Sequence, residues 1–560
     1  MDEIAADWVL VDGAVLTLDP RRPRATSLAV RDGRIAALGS RADMRGWRGR
    51  STRVVDLKGA TVIPGLIDAH AHLDREGLKT IYPSLGRCRS IGDIQALVGT
   101  LARRRPRGEW IVTMPVGHPP FYREGAEALA EKRWPTRTDL DAAAPDHPVY
   151  IRGIWGYWNK PPVYSIANSL ALQRAGVHRD TRAPHGVEIL KDAAGEPTGV
   201  FVEHNLVQVL EFTLMKDAPR FTHAARLRAL AASQRLYAAR GVTGVYEGHG
   251  AAPELLGVYR ESHARGALGL RCSLVVSPTW ADAAEGARAI PDLAAWAGGR
   301  GLGDDQLRVA GICLHHGGSA DVARILHAAQ PYTGWAGFVE SANTAEGYRV
   351  QAAQAARHGL RVTTLVTRCL PEVLDAWEAI DRETPIRTLR WTLVHFHTAS
   401  PADLVRARRL GAVATTNPIS YLWRSGAAEA RALGGAERLI PHRSLARHGI
   451  PFGLGTDNKP PDPWLAFAAV VGRRDMDTGE VLGEAERLTP MAALRALTVG
   501  GALIAGWEHD AGMLRRGCWA DLAVFDENPL AVPLADLPSL PCRLTMVGGR
   551  VVHDGGRSTG

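Results

Sequence analysis

Two histidines placed two residues apart are the first sign of chemistry in this chain. His70 and His72 lie in Pro64-Gly-Leu-Ile-Asp-Ala-His-Ala-His-Leu-Asp74. Side chains alternate along a strand, so both imidazoles would project to one side. Two neutral imidazoles at that spacing can share one Zn2+ or another divalent metal ion. A second candidate lies far along the chain, in Phe452-Gly-Leu-Gly-Thr-Asp-Asn-Lys-Pro-Pro. There Asp457 ends a short apolar run and opens a loop. Its carboxylate could bind metal and take a proton from water, or serve as an ordinary turn residue.

These residues need elements to hold them. Short apolar segments recur along the middle of the chain: Val62-Ile63, Gly241-Val-Thr-Gly-Val-Tyr, Leu274-Val-Val-Ser, Arg308-Val-Ala-Gly-Ile-Cys-Leu, Val362-Thr-Thr-Leu-Val, Thr392-Leu-Val, Ala412-Val-Ala-Thr and Phe452-Gly-Leu-Gly. Helical stretches such as 223–240, 345–359, 371–382 and 401–410 separate them. Eight strands alternating with helices predict an α/β fold, a (β/α)8 TIM barrel. At the C-terminal end of a barrel strand, the His pair would face the mouth, where barrel active sites sit. Asp457 falls at the eighth strand, which favours a functional reading. Both ends of the chain instead show hairpin grammar, with Asp12-Gly13 and Asp32-Gly33 turns and a Gly548-Gly549 pair between apolar runs. We expect one composite β-sandwich from 1–62 plus 505–560, a barrel over 63–504, and an insertion subdomain at about 75–240.

Composition narrows the class. The chain has 560 residues, 46% hydrophobic and 22% charged, an ordinary globular balance. Its net charge of +8 comes almost wholly from scattered Arg without a basic block, so nucleic acid is not an expected partner. The six cysteines form no CxxC pair and read as reduced thiols of a cytoplasmic protein. An apolar run long enough to span a membrane is absent from the sequence. The expected partner is a small molecule. Trp155-Gly-Tyr-Trp158, with Trp280, Trp335 and Trp423 near strand ends, could line a pocket for an aromatic or apolar group, or simply pack a core.

The chain resembles the amidohydrolase superfamily, in the YtcJ-like branch that includes N-substituted formamide deformylases. The resemblance spans nearly the whole chain. It rests on the segment 62–74, Gly241-Val-Thr-Gly-Val, Asn168-Ser-Leu-Ala-Leu, the strand-eight Thr-Asp, Leu488-Thr-Pro-Met-Ala-Ala-Leu and Gly512-Met-Leu-Arg-Arg-Gly. It implies a metal-dependent hydrolase that cleaves a non-peptide C–N bond. Ligands would be His70, His72, a strand-six His mapping to His395, and Asp457, which would also act as acid and base. One ion is expected, and His395 would help stabilise the oxyanion. Many relatives form homo-oligomers, so an assembly of like chains is a further expectation.

Two family positions depart. Cys313 stands where a strand-four Lys is expected, and Cys cannot be N-carboxylated. Strand five, Val362-Thr-Thr-Leu-Val-Thr-Arg, carries no His. Replacement ligands could be Cys313, His315, Glu247 or His397, although Cys313 suits a small buried filler as well. The departures leave two rivals open: an amino-heterocycle deaminase on the same fold, and a metal-free binding scaffold or lyase.

Overall fold

Apolar runs without a period of two read as strands covered on both faces, and eight of them pair in parallel. They are β1 (Leu66–Asp68), β2 (Val242–Ala251), β3 (Arg271–Val276), β4 (Leu307–Cys313), β5 (Val362–Leu365), β6 (Thr392–Val394), β7 (Val413–Thr416) and β8 (Phe452–Leu454). In the computed structural model, which describes residues 5–556, they follow one another in chain order from β1 to β8 across a single sheet. The two edges then meet. Ala69 N–H donates to Leu454 O at 3.0 Å, and Asp457 N–H donates to His70 O at 2.9 Å. The result is a near-closed TIM-like barrel.

Helices supply the crossovers, close to the expected positions. They include His223–Ala238, Ala345–Arg357, Leu370–Glu383 and Pro401–Arg409. Leu370–Glu383 buries Leu370, Val373, Leu374, Trp377 and Ile380, a stripe of three- and four-residue steps that faces the sheet. Pro401–Arg409 starts at a capping box in which Ser400 and Asp403 each satisfy the other's backbone N–H.

The termini build two further sheets. One has six strands in the order Arg550–Asp554, Cys542–Val547, Leu522–Phe525, Thr61–Pro64, Ala14–Leu16, Arg24–Ala25. The other has four, in the order Arg34–Gly39, Ser27–Arg31, Trp8–Val11, Arg53–Asp56. Leu10, Leu28, Val62, Leu522, Val524 and Met546 share one core between them. Here the structure corrects one strand. Val62-Ile63 pairs antiparallel with Ala523 and Val524 in the terminal sheet rather than entering the barrel. The chain crosses from one sheet to the other at Gly65, where a Cβ would lie 2.2 Å from the Thr243 side chain. Only after that crossing does β1 begin.

The barrel and both terminal sheets form one compact unit, and Asp74–Leu230 with Gly318–Ala342 form a second. The second unit holds a five-stranded sheet, ordered Val187–Lys191, Pro197–Glu203, Val163–Ala167, Val149–Ile151, Ile111–Thr113. Its interior contains three of the tryptophans considered for a pocket. Trp158 packs edge-on against Trp155 at 5.3 Å and Trp335 at 5.4 Å. Trp335 belongs to this unit and not to a barrel strand end, because the segment 318–342 leaves the barrel after β4. Among the described residues, no helix is long and apolar enough to cross a membrane.

Candidate metal centre

The closure of β1 against β8 builds the site. Asp68 accepts from His70 N–H at 3.1 Å, from Thr456 N–H at 3.0 Å and from the Thr456 hydroxyl at 2.6 Å. Burial raises its pKa to about 7, against the pull of those donors. Asn458 ties the same two loops together. Its Oδ1 accepts from His72 N–H at 2.7 Å, and its Nδ2 donates to His72 O at 3.1 Å. Gly455 leaves room for His70, because a Cβ there would lie 2.5 Å from the His70 Cβ.

Four of the expected residues meet on this frame. His72 Nε2 is 2.9 Å from Asp457 Oδ1, and His70 Nε2 is 3.7 Å from the same oxygen. His395 Nε2 is 3.1 Å from His70 Nε2 and 3.7 Å from Asp457 Oδ2. Ligands each about 2.0–2.1 Å from a tetrahedral zinc ion lie roughly 3.3–3.4 Å apart. The observed spacings bracket that edge. All four side chains are buried. His395, Asp457 and Asn458 also have φ of 55°, 53° and 55°, in the left-handed region. Such conformations cost about 1–3 kcal/mol each and persist where surrounding structure enforces them.

Neighbours orient these groups. Both Glu247 oxygens lie 2.9 Å from His72 Nδ1, which turns His72 Nε2 towards Asp457. A carboxylate behind a ligating imidazole fixes its tautomer and raises its basicity. His395 Nδ1 lies 2.9 Å from the Tyr421 hydroxyl, and its Nε2 lies 3.2 Å from the Asn417 amide nitrogen. With its proton on Nδ1, His395 would offer the Nε2 lone pair to a metal ion. Burial pushes the His395 pKa down to about 4 and the His70 pKa well below the imidazole range. Both rings are therefore neutral at pH 7, as metal ligands must be. Burial works to raise the Asp457 pKa, but Lys459, then His395 and His72, outweigh it and hold the carboxyl ionised. The Lys459 ammonium contacts Asp457 Oδ2 directly.

His249 is a residue that the sequence pattern did not single out. It forms a second possible ligand set with His70 and His72, alongside the set of His70, His395 and Asp457. It lies two residues beyond Glu247 on β2, so the alternation that singled out His70 and His72 was available there too. The other replacement candidates divide. Glu247 backs His72. His315 is buried, 3.8 Å from the Cys313 sulfur, with its ring 5.2 Å from that of His249. Cys313 itself sits in the barrel core with Ile67, Ala69, Tyr246 and Val275. His397 turns to Glu429 at 3.4 Å and Thr367 O at 3.2 Å. Cys313, His315 and His397 fall outside both ligand sets.

Comparison with known proteins gives the family. Residues 53–553 match the Amidohydrolase family. The chain is 25% identical to the N-substituted formamide deformylase of Arthrobacter pascens, over 97% of each chain. It is also 25% identical to the putative amidohydrolase YtcJ of Bacillus subtilis, over 97% of this chain and 98% of that one. An uncharacterized metal-dependent hydrolase from Pyrococcus furiosus superposes with a TM-score of 0.66, at 21% identity, over 93% of this chain and 99% of the other. The chain belongs to the amidohydrolase family, in its YtcJ-like branch.

Proposed function

We propose that this protein hydrolyses a non-peptide C–N bond of a small molecule, in an amide, formamide or carbamate-like group, at the cluster of His70, His72, His395 and Asp457. The observation that carries the reading is the approach of His70 to His395 and Asp457, and of His72 to Asp457, at 2.9–3.7 Å in a buried cluster. His70, His72, His395 and Asp457 would hold the ion, and His249 offers one more nitrogen. A divalent ion bound there would activate water and polarise the substrate carbonyl. The set needs neither the strand-four Lys nor a strand-five His. The formamide deformylase likeness supports the same bond class.

The chain's own groups then divide the work. Glu247 and Tyr421 fix the rings of His72 and His395. Asp457 accepts the proton of the attacking water and returns it to the departing nitrogen, so one carboxylate serves as base and then as acid. Lys459 keeps that carboxylate ionised before the attack. Metal analysis and a panel of N-formyl, N-acyl and carbamate compounds test the proposal. We expect a stoichiometric divalent ion, lost in the His70→Ala/His72→Ala double variant. We expect Asp457→Asn, reloaded with metal, to lose at least about 100-fold in kcat, within the range of general acid–base contributions. Normal turnover by that reloaded variant would overturn the assignment. Ammonia as the sole nitrogen product from an amino-heterocycle would move the reading to deamination.

A further inference from the structure

A cavity of about 370 Å3 lies in the first unit, lined by four arginines: Arg300, Arg308, Arg361 and Arg390. Arg308 stands at the start of β4, Arg361 immediately before β5, and Arg390 two residues before β6. Arg390 and His395 bracket β6, so the cavity and the metal cluster occupy opposite ends of that strand. The volume falls within the range of small-molecule sites, roughly 300–1,000 Å3.

Cations here outnumber the anions that could neutralise them. Two carboxylates line the same cavity, and both are already paired: Glu508 with Arg390, and Asp510 with Arg34 at 2.9 Å. Arg308 reaches Asp305 only at 3.9 Å. Asp305 also lies 3.7 Å from Arg34 and accepts from the Trp519 indole N–H at 3.2 Å. Arg361 is buried and gives its N–H groups to neutral acceptors: Ile504 O at 2.7 Å, Thr392 Oγ1 at 2.7 Å and Arg390 O at 3.2 Å. Among the described residues, no carboxylate pairs with Arg361 or Arg300. Unbalanced charge on low-dielectric walls focuses the field into a cleft. A buried charge without a counterion is costly, so an anion in the cavity would relieve it. Glu508 gives an independent sign of a missing partner. Arg390 engages its Oε1, while Oε2 is buried with no partner among the described residues. Buried polar atoms ordinarily find partners, and a hydroxyl or protonated oxygen of an occupant would complete this one.

We propose that this cavity binds a small multivalent oxyanion, a phosphate or polycarboxylate carrying two or more charges. Arg300 and Arg308 hold the ligand, since a guanidinium fork matches either oxyanion, and Arg361 supplies charge behind them. The site is separate from the metal cluster, and it stands or falls independently of the hydrolase reading.

The probes are pyrophosphate and citrate, titrated calorimetrically into the metal-loaded protein against sodium chloride at matched ionic strength. We expect one saturable equivalent of at least one probe and none of chloride. Arg308→Met should weaken that binding at least tenfold, and Arg308→Lys should recover part of it. Arg300→Glu, at an exposed position, reads the same effect if Arg308 variants fold poorly. Tighter pyrophosphate assigns the site to phosphates; tighter citrate assigns it to polycarboxylates. Both probes also chelate metal, but chelation is indifferent to Arg300 and Arg308. A heat signal unchanged in the arginine variants therefore overturns the site, and so does the lack of any saturable signal above chloride.

Discussion

At the scale of single residues, the site is a set of imidazoles whose second nitrogens are managed by neighbours. Glu247 is the clearest case, since both its oxygens reach His72 Nδ1. Glu247→Gln keeps the shape and removes the charge. We expect metal affinity to fall about 10- to 100-fold, read by chelator competition. His70 belongs to both ligand sets and His249 to one. His70→Ala should therefore abolish metal binding, whereas His249→Ala should retain an ion; metal content after dialysis distinguishes them. The alternation of side chains along a strand makes His70 and His72 legible in the sequence itself, and family motifs place His395 and Asp457. The roles of Glu247, Tyr421 and Asn417 are hidden there, because each depends on residues 22–175 positions away meeting across the barrel. Cys313 shows the reverse. Its type and position invite a ligand role, but its neighbours make it core.

At the scale of elements, the β1–β8 closure decides where the imidazoles stand. Gly455 is a tight point of that seam. In Gly455→Ala the new methyl group would meet His70 Cβ at 2.5 Å and His70 N at 2.9 Å. We expect His70 to be displaced, with metal stoichiometry falling well below that of the parent protein while circular dichroism stays near native. A variant that binds metal normally would show that the seam can yield. The eight-strand alternation is readable from apolar runs, yet those runs place the first strand one segment early. Val62-Ile63 and Leu66-Ile67 are equally apolar, and only the partner strand distinguishes them. Periodicity reports that a segment is a strand; it does not report which sheet receives it.

At the scale of the whole molecule, the second unit carries a buried titratable group of its own. In the second unit Glu203 is buried, and burial raises its pKa to about 8 despite N–H donors from Val209 and Leu210. Its reference value is 4.5. Below that pH both folded and unfolded states hold the proton. Between about 4.5 and 8 the unfolded chain releases it while the folded unit keeps it, so stability falls as pH rises. Above the window the loss is complete and flat. Glu203→Gln retains an acceptor oxygen and removes the titration. We expect its melting temperature to vary less than the parent's from pH 5 to 8, with the variant the more stable at pH 8 by about a few kcal/mol. Parallel melting curves with pH would exclude Glu203 as the source.

The terminal sheet carries a further consequence, one of timing. Strand Thr61–Pro64 leads directly into β1 and the His pair, and its neighbour in the sheet is Leu522–Phe525. Translation separates those partners by about 460 residues, roughly 25–90 s at about 5–20 residues per second. During synthesis the segment carrying His70 and His72 therefore waits, anchored on one edge only, until almost the last of the chain emerges. Slowing the ribosome would lengthen that exposure, and a metal ion arriving early would meet an unfinished set of ligands.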